Sequence, residues 1–111
     1  MSLDLYLESD VCPHCGRGDG ELFWQNYTHN VTPMWSKAGV YDALYMSHGH
    51  KAEEYIEALE RGVADMEANL AEYEKLNPPN GWGSAVTALP WLRRVLDAFK
   101  ANPGATIRVS K

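Results

Sequence analysis

The chain has 111 residues, 45% of them hydrophobic and 23% charged, with a formal net charge of −5 at pH 7. Such a composition fits one globular domain spanning 1–111 with a modest core. No run reaches the length of a membrane span and no charged-then-apolar leader opens the chain, so no membrane partner is expected, and a cytoplasmic setting in a bacterial or phage-infected cell is.

Leu3, Leu5 and Leu7 alternate with Asp4, Tyr6 and Glu8, which predicts a half-buried strand. Cys12-Pro13-His14-Cys15-Gly16 follows, in a loop crowded by Gly16, Gly18 and Gly20. Glu21 to Tyr27 predicts a second strand, paired with the first as a hairpin and ended by Thr28-His29-Asn30. Thr32-Pro33 reads as a helix start, with Thr32 as the cap. That short helix is expected to stop at Gly39, and another covers Val40 to Met46.

Tyr55/Ile56, Leu59, Val63, Met66, Leu70, Tyr73 and Leu76 recur at helical spacing and predict a long amphipathic helix, with a bend or break at Gly62. Asn77-Pro78-Pro79-Asn80-Gly81 ends it. Ser84 is expected to cap a last helix with apolar positions Val86, Leu89, Leu92, Leu96 and Phe99, kinked at Pro90. Ala105, Ile107 and Val109 alternate as a final strand. The β-β-α-α-β order predicts an α+β fold, a short antiparallel or mixed sheet covered by helices.

Charge is unevenly spread. Lys51 to Leu76 carries eight acids against three bases, whereas Ser84 to Lys111 carries five bases against one acid. The basic end is too modest for a duplex nucleic-acid face, and nucleic acid is disfavoured. Pairing with the acidic helix, or with a small anionic ligand, suits it better.

Cys12 and Cys15 at knuckle spacing, followed by Gly16, suit a zinc ion. His48 and His50 are the natural completion of a Cys₂His₂ site bracing the hairpin tip, with His29 as a substitute for either. A Gly-rich turn with two free thiols is the plainer alternative. Redox chemistry is disfavoured, because the glycines after the motif preclude the helix N-terminus that would activate the first thiol.

Trp24, Trp35, Tyr41 and Trp82 are expected as aromatic walls of a cleft in which His29, Asn30 and Asn80 fix a planar ligand and Arg93 or Arg94 meets a phosphate. Packing in the core is the plainer role for each aromatic ring. His29 has no nameable catalytic partner, and no serine elbow or carboxylate pair is marked by spacing, so no catalytic residue is assigned. Leu, Met and Tyr at heptad-like spacing on the long helix also permit a homodimer.

Asn26-Tyr27-Thr28-His29-Asn30-Val31, Met34, Ala38-Gly39-Val40-Tyr41, Asn77-Pro78, Asn80-Gly81-Trp82-Gly83, Asn102-Pro103-Gly104-Ala105 and Val109-Ser110-Lys111 together resemble a family of small bacterial and phage-encoded proteins, largely uncharacterised. The resemblance covers most of the chain after Glu21, and Tyr45-Met46-Ser47 departs from it. It implies a fold and a phage or mobile-element setting. The combined expectation is an accessory protein that binds a small planar or anionic ligand, such as a host nucleotide signal, or else a zinc-stabilised protein-interaction module.

Overall fold

The structure is a computed structural model, and it describes residues 2–8, 21–28, 31–77 and 83–110. Strands β1 (Ser2–Glu8) and β2 (Glu21–Thr28) are followed by helices α1 (Thr32–Ala38) and α2 (Tyr41–Tyr45) and a 3₁₀ turn (Ala52–Glu54). Helices α3 (Ile56–Ala68), α4 (Leu70–Glu74) and α5 (Ala85–Ala101) precede strand β3 (Thr106–Ser110). The α+β class holds. The sheet is wholly antiparallel, in the order β2-β1-β3.

Strand parity decides which side chains meet the helices. Leu3, Leu5 and Leu7 lie opposite Tyr27, Gln25 and Phe23 of β2, and Leu5 and Leu7 lie opposite Val109 and Ile107 of β3. The three leucines and Ile107 are almost fully buried. The other face pairs Asp4 with Asn26 and Ser110, and Tyr6 with Trp24 and Arg108. Its side chains are half-buried or exposed, so the helices cover one face only.

The outer edge of β3 is closed by 49–52. Gly49 N–H donates to the Ile107 carbonyl at 2.8 Å, Ile107 N–H to the His50 carbonyl at 2.8 Å, and Ala52 N–H to the Ala105 carbonyl at 2.9 Å. Val109 N–H donates to Nδ1 of His48 at 3.0 Å, so an imidazole takes the place of the next backbone acceptor. Buried Ser47 anchors this segment through its hydroxyl, which donates to the Ala43 carbonyl at 2.6 Å.

α1 stops where expected. Gly39 adopts φ 76°, a left-handed conformation that glycine reaches without a Cβ penalty. Thr32 is not the cap. The cap position falls on Val31 with no side-chain hydrogen bond, and Pro33 occupies the first turn.

The predicted long helix is interrupted at Asn69, not at Gly62. The Asn69 carboxamide donates to both the Asp65 carbonyl and the Asp65 carboxylate, a local alternative to helical pairing. Gly62 instead permits close approach. A Cβ there would run into Val40 Cγ1 and crowd the Ala38 carbonyl at 3.2 Å.

Ser84 caps α5, its hydroxyl oxygen accepting from Thr87 N–H at 3.3 Å. The helix continues through Pro90. The buried stripe of α5 comprises Ala88, Leu89, Trp91, Leu92, Val95, Leu96 and Phe99, whereas Val86 is exposed rather than apolar core. Arg93 and Lys100 form ion pairs with Glu67 and Glu60, so α5 does meet the acidic helix α3.

Candidate functional site

Tyr27 is on the helix-facing side of β2, Trp35 on α1 and Trp91 on α5. The Trp35 and Trp91 ring centroids are 5.6 Å apart, and Tyr27 lies 6.1 Å from the first and 5.4 Å from the second. Tilted and edge contacts at these distances are favourable beyond simple burial, by about 0.5–1.5 kcal/mol per pair. Trp35 and Trp91 are 0% and 2% exposed, yet neither indole N–H has a hydrogen-bond acceptor among the described residues. An unpaired buried donor costs about 1–3 kcal/mol, and here two stand in neighbouring rings.

One side of this cluster is polar. The Tyr27 and Thr87 hydroxyls share a hydrogen bond of 2.5 Å, and Tyr27 also donates to the Ser84 carbonyl at 3.4 Å. Asn77 Oδ1 accepts from Ala85 N–H at 2.8 Å, which fastens the end of the α4 segment to the start of α5. Gly83, at φ 97°, fits because it has no side chain. A Cβ there would stand 2.8 Å from both Thr28 Cγ2 and Val31 Cγ1, and 3.4 Å from Tyr27 Cε1. The flanks of the Thr28-His29-Asn30 and Asn80-Gly81-Trp82-Gly83 strings therefore meet beside the cluster.

The predicted site residues divide five ways. Trp35 belongs to the buried cluster. Trp24 is on the opposite face of the sheet, 49% exposed, with its ring 6.5 Å from Tyr6 and its N–H donating to Asp4 at 3.4 Å. Arg93 is on the outer surface of α5, committed to Glu67, and Tyr41 is at the α1–α2 corner, stacked on Tyr45. His29, Asn30, Asn80 and Trp82 lie outside the described residues. The described part of the predicted cleft is therefore not one assembly.

Tyr27, Ser84, Thr87 and Trp91 were not among the predicted site residues. Trp91 follows Ala88 and precedes Val95 at helical spacing, a signal that widens the α5 stripe toward it. Tyr27 shares its parity with Phe23, which assigns it to the helix side.

Of the predicted zinc ligands, Cys12 and Cys15 lie outside the described residues. His48 and His50 each engage Nδ1, the first with Val109 N–H and the second with the Glu54 carboxylate at 3.3 Å. The Lys51 N–H and His50 both favour the charged form of Glu54 and hold its carboxyl below the ordinary range. Among the described residues, no group of three or more His, Cys, Asp or Glu side chains is placed to hold a metal ion. No helix among them is long and apolar enough to cross a membrane.

No protein-family model, curated protein or solved structure matches the chain. The resemblance to small bacterial and phage proteins rests on its motifs alone.

Proposed function

We propose that the chain is a small-ligand-binding protein, an accessory protein in a phage or mobile-element setting. Its site is the Tyr27–Trp35–Trp91 cluster with the hydroxyls of Ser84 and Thr87. The single observation that carries this reading is the pair of buried indole N–H groups without acceptors among the described residues. A planar ligand with carbonyl or ring-nitrogen acceptors, as on a nucleobase, supplies the partners these donors lack and suits the aromatic walls. The test is a nucleotide and nucleobase panel read by thermal shift and by the indole N–H resonances. A true ligand at one hundred times its Kd stabilises by about 2.7 kcal/mol and moves the Trp35 and Trp91 indole signals. Trp91→Phe, which keeps a ring and deletes the donor, weakens it at least fivefold. A panel that moves neither signal and raises no melting temperature sinks the reading.

A second reading, the zinc-stabilised interaction module, is favoured by the ladder row that runs from Glu21 through Glu8 and Thr106 to Lys51. Lys51 is the neighbour of His50, so the row sets the 48–50 segment beside Glu8, the last residue of β1. The Tyr6–Trp24 pair on the uncovered sheet face is the contact surface such a module would use. Metal analysis of protein purified without chelator tests it: one zinc per chain, lost in Cys12→Ser, is expected, and a metal-free wild type removes it.

A further inference from the structure

A different part of the surface has the chemistry of a second site. At the α1–α2 corner, Ser36, Gly39, Tyr41 and Asp42 line an open pocket of about 290 Å³. Its wall is preset, because the Tyr41 ring is stacked on Tyr45 with centroids 4.8 Å apart and planes inclined by only 8°. Its floor is kept clear at Gly39, where no heavy atom lies within 4 Å of the place a Cβ would occupy.

The pocket's polar side chains are a carboxylate and hydroxyls. The Asp42 carboxylate has no hydrogen bond or ion pair among the described residues. The nearest basic residue in sequence, Lys37, is turned elsewhere, its Nζ over the Tyr73 ring at 5.5 Å. Glu54 adds a second carboxylate nearby: it and Asp42, after burial, both push the Tyr55 phenol up. The exposed Asp42 carboxylate repels an anion and attracts a cation, and a neutral ligand gains nothing from its charge. A metal ion finds one carboxylate where it needs several ligands. An organic cation with a short hydrocarbon stem answers both features, its charge on Asp42 and its stem and charged head against the Tyr41 ring.

We infer that the Tyr41–Asp42 pocket binds a primary alkylammonium group, carried by a free amine or by the lysine side chain of another protein. This site is independent of the indole cluster and holds or falls separately from it.

Butylamine, butanol and butyrate are compared by amide chemical-shift titration of the full chain. Butylammonium is expected to move the Gly39, Tyr41 and Asp42 amides saturably with a millimolar Kd, and the other two to leave them unmoved. Asp42→Asn and Tyr41→Leu each raise that Kd about threefold to fivefold, the range of exposed ion pairs and exposed cation–π contacts. Glu57→Gln, on the α3 surface and paired with Arg61, leaves it unchanged. Equal shifts from butanol, or a Kd indifferent to Asp42→Asn in a variant whose amide spectrum shows it folded, overturn the inference. An acetylated, amidated Ala-Lys-Ala tripeptide separates the sources: tighter binding than butylamine identifies a protein lysine, weaker binding a free amine.

Discussion

Two aromatic groups flank the same sheet and differ in an instructive way. On the open face, Trp24 is half exposed and its indole N–H is paired with Asp4. On the helix face, Trp35 and Trp91 are sealed from solvent and their N–H groups are not paired among the described residues. Water could serve the first N–H at no cost, yet a carboxylate is provided. It serves the others least, yet no described residue provides an acceptor. Buried donors are ordinarily satisfied. The difference locates the unfinished chemistry of this chain inside, not on the more conspicuous exposed tryptophan.

The contrast is broken most directly by truncating each side. Trp35→Ala should cost about 3–5 kcal/mol, as large aromatic deletions in a core do, while Trp24→Ala should cost less than about 1 kcal/mol. Urea unfolding of the two variants measures both, and equal losses would remove the distinction.

A smaller effect is expected at the polar side of the inner cluster. Gly83→Ala brings a Cβ against Thr28 and Val31 at a left-handed φ, and should destabilise by about 1–3 kcal/mol. A neutral outcome in the same unfolding assay would mean that this junction yields, and that the cluster is less tightly bounded than its distances imply.

The smallest effect at neutral pH, and the one that sharpens the distinction between buried and exposed rings, is in tyrosine ionisation. Burial, with Tyr41 close by, pushes the Tyr45 phenol up to about 12. Burial and the hydrogen bond to Asp65 push the Tyr73 phenol up as well. A phenol whose folded pKa exceeds its unfolded value near 10 favours folding fully below about pH 10. That contribution is lost as pH rises through the folded value. A tyrosinate absorbance titration should show a late step near pH 12 that Tyr45→Phe removes, and melting temperatures should fall over the same interval.

Much of this was readable from local pattern. Alternation at Leu3-Leu5-Leu7 and at Ala105-Ile107-Val109 named the buried faces, and Gly39 and Ser84 marked helix ends by backbone chemistry that acts within a few residues. What escaped is non-local. Gly62 reads as a weak point in a helix because propensity is all that a sequence window contains. Its role is to admit Val40 and Ala38 from a preceding segment, and no window holds that contact. Asn69, an unremarkable residue by composition, breaks the helix by bonding back to Asp65. The predicted cleft was dispersed for the same reason: nearness of Trp24 to Trp35 along the chain could not reveal that the sheet would separate them. His29, Asn30, Asn80 and Trp82 lie outside the described residues, though the residues flanking them do converge.

The ladder on the far side of β3 has a consequence for assembly. Because 49–52 and the His48 imidazole occupy that edge, the outer side of β2 is the border along which no described strand pairs. From Phe23 to Thr28 that strand holds no charged residue and no proline, the usual guards of an exposed edge. Backbone pairing with another strand is instead barred at the β3 side of the described sheet. The imidazole of His48 thus guards that end of the sheet against the addition of a further strand.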